Sequence, residues 1–219
     1  MTAIRGWSRR TVAHMVLVEG SDRGATPAAE RFDRVAKAVL DVPTRPEVSL
    51  DEVPAPSRLA SFGVALSADV LDGEDELASG RLVLLHEPGG HEAWDGDYRC
   101  VAFVRAIVET DVAADPMLPG VGWSWLLEAL ESQAVAHVAV GGTVTAVVNE
   151  SFGSMDHQEG GSEVEIRASW TPLLEGVDAD LEQQARANAS AWLDLMCTAA
   201  GLTPLPEGVA ALPRQRARG

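Results

Sequence analysis

Between Glu163 and Trp170 the chain reads Glu-Val-Glu-Ile-Arg-Ala-Ser-Trp, a run in which polar and apolar side chains alternate without interruption. Successive side chains of a β-strand point to opposite faces of its sheet. The run therefore predicts a strand with one buried face and one solvent-exposed face, which is typical of antiparallel sheets.

Other segments show the same two-residue period and the connections expected between antiparallel strands. An acidic turn at Asp72-Gly73 and the loop Glu87–Gly90 are too short for a parallel crossover, so they indicate an antiparallel meander. Gly141-Gly142 predicts a further hairpin turn. The strands expected on either side of these connections are Phe62–Val70, Arg81–His86, Tyr98–Glu109, Val135–Val140 and Thr143–Asn149.

Helical patterns lie before, within and after these strands. A first amphipathic helix begins at Thr26-Pro27, and a last one runs from an N-cap near Asp178 to Gly201. A short helix is expected around Trp123, and the proline-rich segment Val42–Pro56 is expected to be an extended connector. The sequence thus predicts an α+β fold: a mainly antiparallel sheet of about five strands, the two longer helices on one face and the short helix at an edge.

The domain organisation follows from where these patterns start and stop. We expect a disordered or weakly ordered leader over residues 1–25, a single α+β domain over residues 26–203, and a disordered tail over residues 204–219. The only two cysteines, Cys100 and Cys197, are too few for a disulfide framework and indicate reduced thiols, hence a cytoplasmic protein.

The charge of the chain is strongly negative. The formal net charge is −16, and the body between Thr26 and Thr203 carries 30 acidic and 10 basic residues. Such a surface argues against direct binding of nucleic acid or an anionic membrane, because that binding depends on clustered cations. It keeps the protein dispersed by mutual repulsion, and it also fits a basic protein partner.

No residue set has the spacing of a known catalytic or metal site, and we expect no cofactor. His86 and His91 are separated by Pro88-Gly89-Gly90, which prevents a helix from placing both imidazoles on one face. The Ser151–His157 stretch lacks the Gly-x-Ser-x-Gly turn of a hydrolase, and Lys37 is the only lysine, which argues against Schiff-base chemistry and phosphate loops.

Two sets of residues remain as binding candidates. Trp94, Trp123 and Trp125 are candidates for partner contact, because Trp123 and Trp125 lie about 200° apart around a helix and cannot both face one core. The strand arginines Arg99, Arg105 and Arg167 are candidates for an anionic ligand, although they could instead neutralise neighbouring acids.

Several stretches together resemble the actinobacterial family called domain of unknown function 3000. The similarity covers about Thr26 to Pro204, and it implies an intracellular protein without an established activity, cofactor or catalytic residue. The stretches that carry it are Arg58–Ala60, Gly80–His86, Ala93–Gly96, Ala113–Pro119, Trp123–Leu126, Gly142–Thr145 and Glu165–Pro172.

Two functional hypotheses follow from the sequence. The first is a non-catalytic interaction or regulatory module with an acidic surface. The alternative is a small-molecule-binding protein or an enzyme, with a pocket between sheet and helices in which the strand arginines hold an anionic ligand. The sequence does not specify an oligomeric state.

Overall fold

The computed structural model describes residues 26–150, 152–153, 161–176 and 179–203. The expected leader, the expected tail and the expected N-cap at Asp178 lie outside the described residues. The elements in chain order are α1 (Pro27–Leu40), β1 (Val48–Val53), β2 (Phe62–Asp72), β3 (Asp75–His91), β4 (Gly96–Val108), α2 (Thr110–Ala113), α3 (Leu118–Ser132), β5 (His137–Val147), β6 (Ser162–Pro172) and α4 (Ala179–Ala199).

The strands form one antiparallel sheet in the order β1-β2-β3-β4-β6-β5. The predicted α+β class is confirmed, and so is the meander, which consists of β2, β3 and β4. The strand expected at Glu163–Trp170 is β6, and it lies inside the sheet with Val164, Ile166 and Trp170 buried. β3 is longer than expected at both ends, because it pairs with β2 from Asp75 and continues through a register shift between His86 and His91.

The extended connector expected at Val42–Pro56 is wrong in part, because its middle forms β1 and raises the strand number to six. The prolines do exclude the interior of the sheet, since Pro46 precedes β1 and Pro54 follows it. An edge strand flanked by prolines satisfies the same constraint, because one side of an edge strand needs no ladder hydrogen bonds.

The hairpin expected at Gly141-Gly142 is also wrong. These residues lie inside the single strand β5, whose register against β6 shifts between Val138 and Gly141. A Cβ atom added to Gly142 would lie 2.2 Å from the carbonyl oxygen of Arg167. The glycine therefore marks a close approach of β5 to β6 instead of a turn.

The three longer helices pack on the same face of the sheet. α4 lies between α1 and α3, and α3 covers the β5–β6 end of the sheet. One core cluster joins these helices to the strands, and Trp170 and Trp192 are among its fully buried side chains. The short helix expected around Trp123 is α3, and it lies at the expected edge. It is not short, because it has 15 residues against 14 in α1. It starts upstream of Trp123, with Pro119 in its first turn.

The first helix begins as expected. Thr26 is its N-cap, and the Oγ1 of Thr26 accepts a hydrogen bond of 3.3 Å from the backbone N–H of Ala29. Within the described part of the chain, we find no helix with the length and apolar character needed to cross a membrane.

Candidate functional site

The face of the sheet turned away from α1, α3 and α4 is called the open face. The paired register places Arg81, Phe103, Arg167 and Thr143 side by side on β3, β4, β6 and β5. Their neighbours along each strand, such as Leu82 and Val104, are buried in the helical core. Because side chains alternate along a strand, these four residues belong to the open face.

Apolar side chains occupy the middle of the open face. Ala65, Val83 and Leu85 are buried there beneath Val53, Ala55, Ala60 and Trp94. These four covering residues do not reach β4, where Val101 is 41% exposed and Ile107 is 54% exposed. The open face thus combines exposed aliphatic groups with a partly buried aromatic ring at Phe103.

Two of the predicted arginines are held by glutamates. Arg105 donates two hydrogen bonds to the carboxylate of Glu163, which lowers the pKa of Glu163 and raises the pKa of Arg105. Arg167 forms an ion pair of 2.6 Å with Glu165 and lies 5.1 Å from the centre of the Phe103 ring. Both arginines thus neutralise neighbouring acids, which the sequence offered as the alternative to binding an anionic ligand.

Arg99 differs from these two arginines. Its guanidinium donates hydrogen bonds to the Oγ of Ser169 at 2.6 Å, the Oγ1 of Thr171 at 2.9 Å and the carbonyl oxygen of Ala139 at 3.0 Å. Partial burial lowers the pKa of the Arg99 guanidinium. The ion pairs among the described residues do not include Arg99. Neutral groups hold the Arg99 guanidinium in one position. It is therefore already oriented to bind a carboxylate of another molecule.

Arg81 is a fourth arginine on the open face that the sequence-based candidates omitted. Its guanidinium donates a hydrogen bond of 2.7 Å to the carbonyl oxygen of Pro54. The signal was present in the sequence, because Arg81 alternates with Leu82 and Leu84 in a predicted strand. Phe103 was missed in the same way, since it alternates with Ala102 and Val104.

Trp94 lies at the end of the open face nearest Arg99. Its ring stacks on His91 with the ring centres 4.4 Å apart, and its side chain covers the apolar cluster of Ala65, Val83 and Leu85. The carbonyl oxygen of Trp94 accepts a hydrogen bond from the Oγ1 of Thr171, which also receives a hydrogen bond from Arg99. The structure therefore brings Trp94 and Arg99 together through one threonine.

Trp123 and Trp125 are not part of this surface, because both lie on α3 at the opposite face of the sheet. Each is partly buried and packs against the margin of the helical core. The expectation that the two cannot both face one core is wrong, because both pack against the same cluster. α3 contacts α4 as well as β5 and β6, so both of its flanks have neighbours.

The strand arginines do not line a space between the sheet and the helices. Arg99, Arg105 and Arg167 all belong to the open face, so the alternative hypothesis placed them on the wrong side of the sheet. A groove of about 300 Å³ does lie at one end of the helical layer, and its lining contains none of these arginines. It is lined by Ala134, Val135, Ala136, Leu173, Leu174, Glu175, Gln184, Ala187 and Asn188.

The two histidines weighed as metal ligands have different surroundings. His86 is buried, and its ring stacks on Tyr98 with the ring centres 4.1 Å apart, while His91 is exposed beside Trp94. In the described ranges, no three His, Cys, Asp or Glu side chains form a group that could hold a metal ion. Of the Ser151–His157 stretch, only Phe152 and Gly153 belong to the described residues.

Comparison with known proteins gives one match. The model of the family described as "Protein of unknown function (DUF3000)" matches residues 28–210. No curated protein and no solved structure matches the chain.

Proposed function

Because the chain belongs to the DUF3000 family, whose description states no activity, we propose its function from the geometry of the open face. The protein is a non-catalytic interaction or regulatory module, and the open face is its contact surface. The single observation that carries this proposal is Arg99, a positioned guanidinium without a carboxylate partner among the described residues, beside exposed apolar side chains.

The composition of the open face supports this proposal. The energetically dominant residues of protein interfaces are enriched in arginine and aromatic side chains, surrounded by contacts that exclude water. Arg99 and Trp94 lie together at one end of the open face, and Phe103 lies between Arg81 and Arg167 in its middle. Val101 and Ile107 supply apolar area next to them. A partner that covers this surface removes apolar groups from water and gives Arg99 a carboxylate.

In this proposal, charge attracts the partner over long range and then forms an ion pair at the contact. The net charge of −16 attracts a basic protein partner over long range and raises its rate of association at low salt. Four of the ten basic residues between Thr26 and Thr203 lie on the open face. The contact itself then pairs Arg99 with an acidic side chain of the partner.

The cytoplasm is the proposed location. Both cysteines are buried and free, as expected for a protein kept in a reducing compartment. The actinobacterial origin implied by the resemblance belongs to the same proposal.

Affinity purification with the full chain tests the proposal. We compare the wild-type protein with Arg99→Ala and with Lys37→Ala, a matched loss of one positive charge on the exposed side of α1. The expected result is a partner that is retained by wild type and Lys37→Ala, lost by Arg99→Ala, and recovered less well as the salt concentration rises. Equal recovery by all three proteins, or recovery of no partner at low and physiological salt, would contradict it.

A further inference from the structure

The two edges of the sheet are protected to different degrees. β1 has six residues, lies between Pro46 and Pro54, and exposes the charged side chains of Asp51 and Glu52. β5 has 11 residues and contains no proline, aspartate, glutamate, lysine or arginine. Short edges, prolines, charges and β-bulges are features by which proteins prevent unwanted strand pairing. β1 has the first three, whereas β5 has only a bulge near its start.

A bulge disturbs only the first part of β5. The register against β6 shifts between Val138 and Gly141, and Ala139 has a positive φ of 50°. From Gly141 to Val147 the pairing with β6 is continuous, and none of these seven residues is fully buried. Among the described strands, β6 is the only neighbour of β5. The outer backbone groups of this regular segment are therefore available to another strand.

Exposed apolar side chains gather beside this edge. Met117, the N-cap residue of α3, is 68% exposed, and Phe152, which follows β5, is 75% exposed. α3 packs directly against β5. Six of the ten large hydrophobic side chains that are exposed in the described part of the chain lie on α2, on α3 and its N-cap, or just after β5: Val112, Met117, Val121, Leu127, Val148 and Phe152. An apolar border of this kind is typical of an interaction site.

The regular segment is complementary to itself. Thr143-Val144-Thr145 is flanked by the small residues Gly142 and Ala146, so the sequence reads similarly in both directions about Val144. In an antiparallel pair of two copies centred there, Val144 faces the same residue of the second copy, and Thr143 faces Thr145. Threonine pairs and β-branched pairs stabilise neighbouring antiparallel strands.

The charges on the adjoining strand agree with the same arrangement. Arg167 is the β6 neighbour of Thr143, and Glu165 is the β6 neighbour of Thr145. In the pair centred on Val144, a row of four residues crosses the two copies. It runs from Arg167 and Thr143 of one copy to Thr145 and Glu165 of the other copy, so the two charges lie at its opposite ends. The two ends are three strand spacings apart, or about 14 Å, so the attraction is weak, but its sign favours pairing.

We propose that β5 is a pairing edge and that its occupant is a second copy of this chain. The two copies join antiparallel across a two-fold axis near Val144, and their sheets become continuous. This isologous arrangement closes on itself, since each copy uses its unprotected edge and leaves only the protected β1 edges outside. The proposal is independent of the open face as a contact surface for a different protein.

Sedimentation of the full chain over a concentration series tests this proposal. We compare wild type with Thr145→Lys and with Ser49→Lys, which places the same charge at an exposed hydroxyl residue of the β1 edge. Wild type and Ser49→Lys are expected to form a dimer. Thr145→Lys is expected to raise the dissociation constant roughly tenfold or more, because lysines on an edge oppose pairing and would lie near Arg167 of the second copy.

The control for folding is circular dichroism, which should be unchanged for both variants. Arg99→Ala should lose the partner of the open face and remain dimeric, which separates the two proposals. A wild-type protein that sediments as a monomer at every concentration overturns the inference, even if a different protein is found paired with β5. Equal weakening of the dimer by Thr145→Lys and Ser49→Lys also overturns it.

Discussion

The indole Nε1 of Trp170 donates a hydrogen bond of 2.7 Å to the Oδ1 of Asn188, and both side chains are buried. The Nδ2 of Asn188 donates a further hydrogen bond of 2.8 Å to the carbonyl oxygen of Gln184, one turn earlier in α4. This asparagine therefore links the inner strand β6 to α4. A buried polar pair of this kind fixes how the two elements fit together.

Replacing Asn188 by alanine leaves the Trp170 indole N–H without its acceptor in a buried site. We expect the free energy of unfolding to fall by about 1–3 kcal/mol, the range typical of an unsatisfied buried polar group. Urea unfolding followed by tryptophan fluorescence measures the loss. Gln183→Ala, at an exposed position of the same helix, is the control and should change stability by less than about 0.5 kcal/mol. Similar losses for both variants would show that this hydrogen bond does not link strand and helix.

His86 makes the stability depend on pH. Its burial lowers its pKa in the folded protein below the ordinary value of 6.5, despite the hydrogen bond between its Nδ1 and the carbonyl oxygen of Asp97. Well above pH 6.5 the imidazole is neutral in both states, so its contribution to stability is complete. As the pH falls below 6.5, the unfolded chain takes up a proton that the folded protein resists, and the free energy of unfolding decreases.

Unfolding measured between about pH 7 and pH 5 tests this dependence. His86→Phe keeps an aromatic ring in the stack with Phe62 and Tyr98 and should flatten the decrease. His91→Phe, at the exposed end of β3, is the matched control. An identical pH profile for wild type and His86→Phe would contradict this explanation.

Gly142 and its neighbour Gly141 should respond very differently to alanine. The added Cβ at position 142 meets the Arg167 carbonyl oxygen and the Trp123 ring, whereas at position 141 no atom lies within 4 Å. We expect Gly142→Ala to lower the free energy of unfolding by about 1–3 kcal/mol, as overpacking usually does. Gly141→Ala should be close to neutral. Thermal unfolding of the two variants side by side provides the comparison, and equal melting temperatures would contradict the close approach of β5 to β6.

The two thiols should be unreactive in the folded protein. Burial strongly raises the pKa of the Cys100 thiol, and it raises the pKa of Cys197 to about 11. At neutral pH neither provides an appreciable amount of thiolate, which is the nucleophilic form. A thiol reagent should label both cysteines quickly in denaturant and neither in buffer, while an added cysteine in Ser57→Cys, at an exposed position, is labelled at once. Rapid labelling of Cys100 in buffer would contradict its burial.

The sequence was most informative where one residue type has one structural explanation. The alternation from Glu163 to Trp170 identified β6, and Thr26-Pro27 identified the start of α1, because these patterns depend on local geometry. Gly141-Gly142 was misinterpreted since a glycine pair fits either a turn or a close contact between strands, and only the position of Arg167 distinguishes them. Local patterns thus predicted the elements better than their pairing.

The candidate surface could be predicted only in part for the same reason. Alternation alone placed Arg99, Arg105 and Arg167 on one side of their strands. Which of them lack a carboxylate depends on the register of β4 against β6, since that register makes Glu163 a diagonal neighbour of Arg105. The helices cover the opposite face, and this too depends on tertiary packing. Register and packing together distinguish Arg99 from the other two candidate arginines, because only Arg99 is held by neutral groups.

Hydroxyl-radical footprinting of the chain, alone and in the complex recovered by affinity purification, tests the open face most directly. The proposal predicts that Val101, Phe103 and Ile107 are modified in the free protein and protected in the complex. Exposed side chains on the helical side, such as Leu127, should be modified equally in both samples. Protection confined to the helical side, with the three β4 side chains modified to the same extent in both samples, would contradict it.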